Sequence, residues 1–133
     1  MSQADIHIET DRRALWLYVI LLCLIILMAN WRLGGLFFQA MCALPGADKS
    51  GHFVLMGIFA LLMNRCDRGA RIQVGPLRLL RGSLLVLGLV VVEECLQILI
   101  PSRSFSWSDL FFDLAGILCL GWLGAIRRTP IGS

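Results

Sequence analysis

VVVEECLQILIPSRSFSWSDLFFDLAG, residues 90–116, decides how this chain is interpreted, because apolar runs and charged residues alternate within it. The apolar runs on either side of Pro101 are typical of helices in a lipid bilayer. The same stretch carries six charged or amide side chains, namely Glu93, Glu94, Gln97, Arg103, Asp109 and Asp113. Ionisable groups are costly inside a membrane and usually face the interior of a helix bundle, where they pair or serve a function.

The composition points to a small membrane protein. The chain has 133 residues, of which 58% are hydrophobic and 16% charged. A soluble domain of this length carries more charge. The basic residues cluster between apolar runs and form no basic and aromatic stripe, so no nucleic-acid partner is expected. The five cysteines are scattered, which excludes a disulfide framework or zinc site. We predict one membrane domain over residues 1–133, with the lipid bilayer as partner and no cofactor.

Four apolar segments approach the length that crosses a bilayer. They cover residues 14–29, 50–64, 82–100 and 107–126. Arginines cluster before the first segment, between the second and third, and after the fourth, and the positive-inside rule places these clusters in the cytoplasm. The fold prediction is an all-α polytopic membrane protein with four transmembrane helices and both termini cytoplasmic. Residues 33–47, apolar and uncharged, are expected either to re-enter the membrane from outside or to form a plain loop.

This topology brings the polar residues to the outer leaflet. Glu94 and Gln97 share one helix face, as do Asp109, Asp113 and Gly116, because residues three, four or seven apart lie on one side of a helix. The candidate catalytic residues are Glu94, Asp109 and His52. The candidate binding residues are Asp48, Lys49, Gln97, Arg103, Ser106 and Asp113. No metal site is predicted, because Lys49 and Arg103 would compete for the same carboxylates.

Several motifs occur in a defined order: DKSGH at 48–52, ECLQ at 94–97, RSFS at 103–106, Asp109, and DLAG at 113–116. In this order and spacing they resemble the VanZ-like membrane protein family, over about residues 45–125. The resemblance implies a multi-pass protein of the bacterial cytoplasmic (inner) membrane, whose namesake is linked to low-level resistance to the glycopeptide teicoplanin. Asp113 departs from the family pattern, which usually has Asn at that position.

The resulting functional expectation is an envelope protein that recognises or modifies an anionic lipid-linked or cell-wall precursor headgroup. Arg103, Lys49 and His52 would hold the headgroup, and Glu94 and Asp109 would orient these cations or act as acid and base. Whether any reaction occurs, and the oligomeric state, stay open. One alternative is a structural protein whose bundle is locked by ion pairs such as Lys49 with Glu94 and Arg103 with Asp109. The other is a small proton-coupled transporter.

Overall fold

The computed structural model describes residues 3–30, 46–98 and 106–126. Four helices and one β-hairpin form this part of the chain. In chain order they are α1 (Gln3–Asn30), α2 (Ala47–Cys66), β1 (Arg71–Val74), β2 (Leu77–Leu80), α3 (Arg81–Gln97) and α4 (Trp107–Ala125). The segment 33–45, for which a re-entrant or loop structure was predicted, lies outside the described residues.

The core lies where α2, α3 and α4 meet. Its buried apolar residues are Ala60, Val86, Val90 and Ile117. Helix α1 joins this core from the side, because the Tyr18 hydroxyl donates a hydrogen bond of 2.7 Å to the backbone oxygen of Leu55. The Tyr18 ring also lies 6.3 Å from the ring of Phe59, measured between centroids. The three later helices therefore form a compact bundle to which α1 is attached.

Helices α2 and α4 approach each other backbone to backbone. A Cβ atom at Gly116 would overlap the backbone carbonyl of Phe53, and one at Gly124 would overlap that of Leu61. Small residues at such positions are typical of closely packed helices in membranes. Gly116, which the sequence places on the same face of α4 as Asp109 and Asp113, is one of these contact points. The close packing holds α2 against α4 from the third turn of α4 to its C-terminal end.

The segment between α2 and α3 forms an antiparallel hairpin. Its register pairs Arg71 with Leu80 and Val74 with Leu77. Gly75 has a positive φ of 60°, which glycine adopts without strain and which a tight turn requires. The Arg81 guanidinium donates two hydrogen bonds to the Asp67 carboxylate, one of them 2.8 Å long. This paired contact closes the base of the hairpin.

The prediction of an all-α protein with four transmembrane helices is wrong. The hairpin occupies a segment that was expected to be a plain loop, and α4 is the one described helix long and apolar enough to cross a membrane by length and composition. Helix α3 has 17 residues and ends before residue 100, so it is about 26 Å long against a hydrocarbon core of about 30 Å.

The other two helices also differ from the predicted spans in their polar ends. Helix α1 begins at Gln3 and includes Asp11, Arg12 and Arg13, which adjoin its apolar part. Helix α2 carries polar residues at both of its ends, Asp48 in its first turn and Arg65 in its last. The sequence pattern had assigned these residues to flanking loops, whereas the helices continue through them.

Candidate functional site

Four of the predicted site residues lie around one histidine. His52, in the second turn of α2, has its Nδ1 atom 3.1 Å from Oδ1 and 3.2 Å from Oδ2 of Asp113 in α4. Because a carboxylate only accepts, the Nδ1–H group donates to Asp113. The other ring nitrogen, Nε2, lies 3.9 Å from Oδ2 of Asp109. We call His52, Glu94, Ser106, Asp109 and Asp113 the His52 cluster.

Asp113 is the buried member that orients the imidazole. Its side chain is 3% exposed, whereas that of His52 is 25% exposed. Asp113 and Gly116 both lie on the face of α4 that packs against α2, so the close helix contact also sets the distance between Asp113 and His52. The residue that departs from the VanZ-like pattern is therefore the one that bonds His52 most closely.

Glu94 is fully buried in α3, and it is incompletely satisfied. Its Oε2 atom accepts a hydrogen bond of 3.3 Å from the backbone N–H of Ser106. Its Oε1 atom is buried and has no hydrogen-bond partner among the described residues. Asp109 and His52 lie close enough for their charges to act on it. A buried carboxyl oxygen without a partner is costly, so such groups usually serve binding or catalysis.

Ser106 connects Glu94 to the start of α4. It caps the helix, because its Oγ atom accepts a hydrogen bond of 3.3 Å from the backbone N–H of Asp109. The Ser108 hydroxyl donates to Oδ1 of Asp109 at 3.2 Å. Asp109 in the first turn also interacts favourably with the positive end of the helix dipole. The Glu94 contact and the cap together fix where α4 begins relative to α3.

Asp48 and Lys49 lie at the rim of the cluster. Both are exposed residues in the first turn of α2, and Asp48 is close enough for its charge to act on His52. The Lys49 ammonium lies 6.0 Å from the centroid of the Phe112 ring, at the outer limit of a cation–π contact. Lys49 thus places a positive charge beside the entrance to the cluster.

Of the last two predicted binding residues, one lies at the end of α3 and the other lies outside the described residues. Gln97 is the final residue of α3, one turn after Glu94. Arg103 lies outside the described residues, so its place relative to the cluster stays a sequence-based prediction. Of the nine predicted site residues, the structure brings five together as the His52 cluster and places Asp48 and Lys49 at its rim.

The predicted ion pair between Lys49 and Glu94 is not formed. Within the described ranges, Glu94 bonds only the Ser106 backbone, and Lys49 contacts the Phe112 ring. The second predicted pair, between Arg103 and Asp109, involves a residue outside those ranges. The structural alternative therefore lacks one of the two contacts on which it was based.

Sequence reasoning missed a second buried polar group, at the other end of the same three helices. The fully buried Asn64 of α2 donates from Nδ2 to the Ser83 hydroxyl at 2.8 Å and to the Gly121 backbone oxygen at 2.9 Å. Its Oδ1 atom accepts from the backbone N–H of Ser83 at 3.2 Å. We call Asn64, Ser83 and Gly121 the Asn64 node. The available signal was an amide at the end of an otherwise apolar run.

The imidazole and carboxyl groups of the His52 cluster can transfer a proton or form hydrogen bonds. Among the residues that the structure describes, no group of three or more His, Cys, Asp or Glu side chains is arranged to hold a metal ion. With Nδ1–H donating to Asp113, a neutral imidazole would present Nε2 as a proton acceptor, and a protonated one would present it as a donor. Glu94 supplies a second titratable group in the same cluster.

Comparison with protein-family models, with curated proteins and with solved structures finds no match to this chain. The VanZ-like resemblance therefore rests on the ordered motifs alone. The chemistry of the chain has to be inferred from its own residues.

Proposed function

We propose that this chain is a bacterial envelope membrane protein whose His52 cluster recognises or modifies the anionic headgroup of a lipid-linked or cell-wall precursor molecule. The observation that carries the proposal is the buried Oε1 atom of Glu94, which has no hydrogen-bond partner among the described residues and lies in the same cluster as an imidazole oriented by Asp113. A group that only stabilised the fold would be expected to have both carboxyl oxygens satisfied.

The outer surface of the bundle supports a membrane location. Large apolar side chains point away from the core on several helices, including Leu17 of α1 at 69% exposed and Phe111 of α4 at 65% exposed. Soluble monomers rarely expose apolar patches of this extent. We assign the chain to the cytoplasmic (inner) membrane, embedded as a multi-pass bundle with α4 as its clearest span.

With α4 across the membrane, we infer that the His52 cluster lies at the outer leaflet. The arginines of residues 65–81 lie beyond its C-terminal end, and the positive-inside rule assigns that end to the cytoplasm. Asp109 and Asp113 lie in the first two turns at the opposite end. A headgroup in the outer leaflet would reach them sideways from the lipid.

Most of the titratable groups in the cluster are carboxyls, so an anionic headgroup would have to be held by the cations at this end of the bundle. His52 and Lys49 are the described cations at this end, and Arg103 belongs to the segment that joins Glu94 to Ser106. Charge-assisted hydrogen bonds from these groups would hold a phosphate or carboxylate. Glu94 would then accept from, or donate a proton to, a polar group of the same ligand.

Either binding or a reaction at this site would give the protein a role in the envelope. Binding would shield a headgroup that a glycopeptide recognises, and a reaction would change it. The small proton-coupled transporter remains the weaker alternative, because the polar residues collect near one end of the bundle and not at its middle.

Mass spectrometry of envelope lipids and cell-wall precursors tests the proposal. Three strains would be compared: one expressing the wild-type chain, one expressing Glu94→Gln and one expressing neither, with membrane levels of the two proteins matched by blotting. A species that changes in amount only with the wild type would indicate a reaction, and its mass difference would give the type of reaction. An unchanged spectrum with teicoplanin sensitivity that depends on Glu94 would indicate binding.

The matched control is Glu93→Gln, which removes the same charge from the neighbouring position on a different face of α3. We expect it to behave as the wild type in both readouts. If Glu94→Gln and Glu93→Gln change neither the spectrum nor drug sensitivity, the proposal fails. If Glu94→Gln never accumulates in the membrane, the cluster is structural.

A further inference from the structure

The hairpin between α2 and α3 has two chemically different faces. Side chains alternate along each strand, so paired residues share a face. One face carries only apolar residues, namely Ile72, Val74, Leu77 and Leu79. Three of them are strongly exposed, at 42% for Ile72, 49% for Val74 and 59% for Leu77. The opposite face carries Arg71, Gln73, Arg78 and Leu80.

A cavity lies beside the basic residues of the hairpin. It has a volume of about 530 Å³ and is lined by Arg68, Gly69, Ala70, Arg71, Arg78 and Ala125. Its three arginines form no ion pair within the described ranges, whereas Arg81 pairs with Asp67 and Arg13 with Glu9. Guanidinium groups bind phosphate through two parallel hydrogen bonds, which a cluster of unpaired arginines favours.

The backbone at Arg68 also favours a role for its side chain. Arg68 has a φ of 54°, in the left-handed region that side chains other than glycine and asparagine rarely adopt. A glycine would occupy this position more readily, as Gly69 does in the next position with a φ of 67°. Arg68 adopts this conformation even though it is not glycine, and it lines the cavity.

The position of the cavity indicates what fills it. Ala125, which lines the cavity, is the last residue of α4, the helix that is able to span a membrane. Gly69 packs so closely on it that a Cβ atom would lie 3.1 Å from the Ala125 oxygen. When α4 crosses the bilayer, the cavity therefore lies at the level of the lipid headgroups.

We propose that this hairpin lies in the cytoplasmic interface of the membrane and holds the phosphate of an anionic phospholipid in the arginine cavity. The apolar face inserts among the upper acyl chains, as amphipathic interfacial elements do. The arginines contact the phosphate from the aqueous side and draw on the negative charge of the cytoplasmic leaflet. This site is separate from the His52 cluster, which lies at the other end of α4.

Native mass spectrometry of the full chain in detergent tests the proposal. The protein would be incubated with equal amounts of phosphatidylglycerol and phosphatidylcholine, and the ratio of the two retained lipids measured. We expect phosphatidylglycerol to be retained preferentially. A direct hydrogen-bonded contact between one arginine and the lipid phosphate contributes about five-fold to binding, so Arg71→Gln with Arg78→Gln should lower the preference about 25-fold.

The matched control is Arg12→Gln with Arg13→Gln. It removes the same charge from exposed positions of α1, near the same end of the bundle because the charge of Arg12 acts on Cys66. We expect it to retain the preference. Equal retention of both lipids by the wild type, or an equal loss in the control, would overturn the proposal. If the double variant fails to fold, Arg71→Gln and Arg78→Gln tested singly should each lower the preference about five-fold.

Two further measurements separate a lipid from a free anion. Val74→Ser with Leu77→Ser removes the apolar face and should weaken phosphatidylglycerol retention without changing the charge of the cavity. Inorganic phosphate at millimolar concentration should displace little of the lipid. Full displacement by phosphate, together with no effect of the serine changes, would show a soluble-anion site and would refute the lipid assignment.

Discussion

The His52 cluster and the Asn64 node lie at opposite ends of the same three helices, and they differ in whether their buried polar atoms have hydrogen-bond partners. Every polar atom of the Asn64 side chain has a partner. The equally buried Glu94 leaves one oxygen without one among the described residues. A fully satisfied network stabilises a fold, whereas a partly satisfied one is a cost that selection keeps for binding or chemistry. The comparison therefore sets an end whose buried amide is fully paired against the end for which a function is proposed.

The largest expected effect is at the Asn64 node. Asn64→Leu would leave the Ser83 N–H and the Gly121 carbonyl without their buried partner, and we expect a loss of about 2–4 kcal/mol in the free energy of unfolding. Unfolding by SDS in mixed micelles would measure it. Ser83→Ala, which removes a single hydroxyl, serves as the milder control. A loss at Asn64 no larger than that at Glu94 would erase the difference between the two ends.

Asp113→Ala comes next. It removes the acceptor that orients His52, and we expect a loss of about 2 kcal/mol in the free energy of unfolding. We also expect the variant to lose the effect of the wild type on envelope lipids or teicoplanin sensitivity. Asp113→Asn keeps a carbonyl oxygen in the same place and should lose less than about 1 kcal/mol. The same micelle titration compares them. Equal losses in the two variants would mean that the negative charge, and not the hydrogen bond, holds this end together.

Glu94→Gln should affect stability little and function strongly. The amide oxygen can still accept from the Ser106 N–H, so we expect the free energy of unfolding to change by less than about 1 kcal/mol. Proton transfer by a positioned side chain contributes about 100-fold or more, so a reaction at this site should fall by at least that factor. Turnover of the responsive lipid species would report it. A stability loss like that of Asn64→Leu would make Glu94 structural.

The smallest effect is expected at the rim. Lys49→Met removes a cation at the 6.0 Å limit of contact with Phe112 and should change stability by about 0.5 kcal/mol or less. Its influence should appear in ligand affinity and in the dependence of binding on salt. Binding isotherms at two salt concentrations would measure both. An unchanged salt dependence would exclude Lys49 from headgroup recognition.

The sequence predicts the His52 cluster better than it predicts the fold around it. Helical spacing places Asp109, Asp113 and Gly116 on one face, and the predicted segment 107–126 nearly coincides with α4. The hairpin was missed because the alternation in each strand extends over only four residues, and its arginines were taken as a topology signal. The Asn64 node was missed because its partners, 19 and 57 residues away in the chain, depend on how three helices pack.

The contact between Tyr18 and Leu55 has a consequence for the order in which the chain is assembled. Helix α1 is synthesised before α2, and the Tyr18 hydroxyl gains the Leu55 oxygen as its acceptor only when α2 is made, because Leu55 lies 37 residues later. In an apolar surrounding an unpaired hydroxyl is costly. The tertiary hydrogen bond of α1 therefore forms only after the second helix has been made.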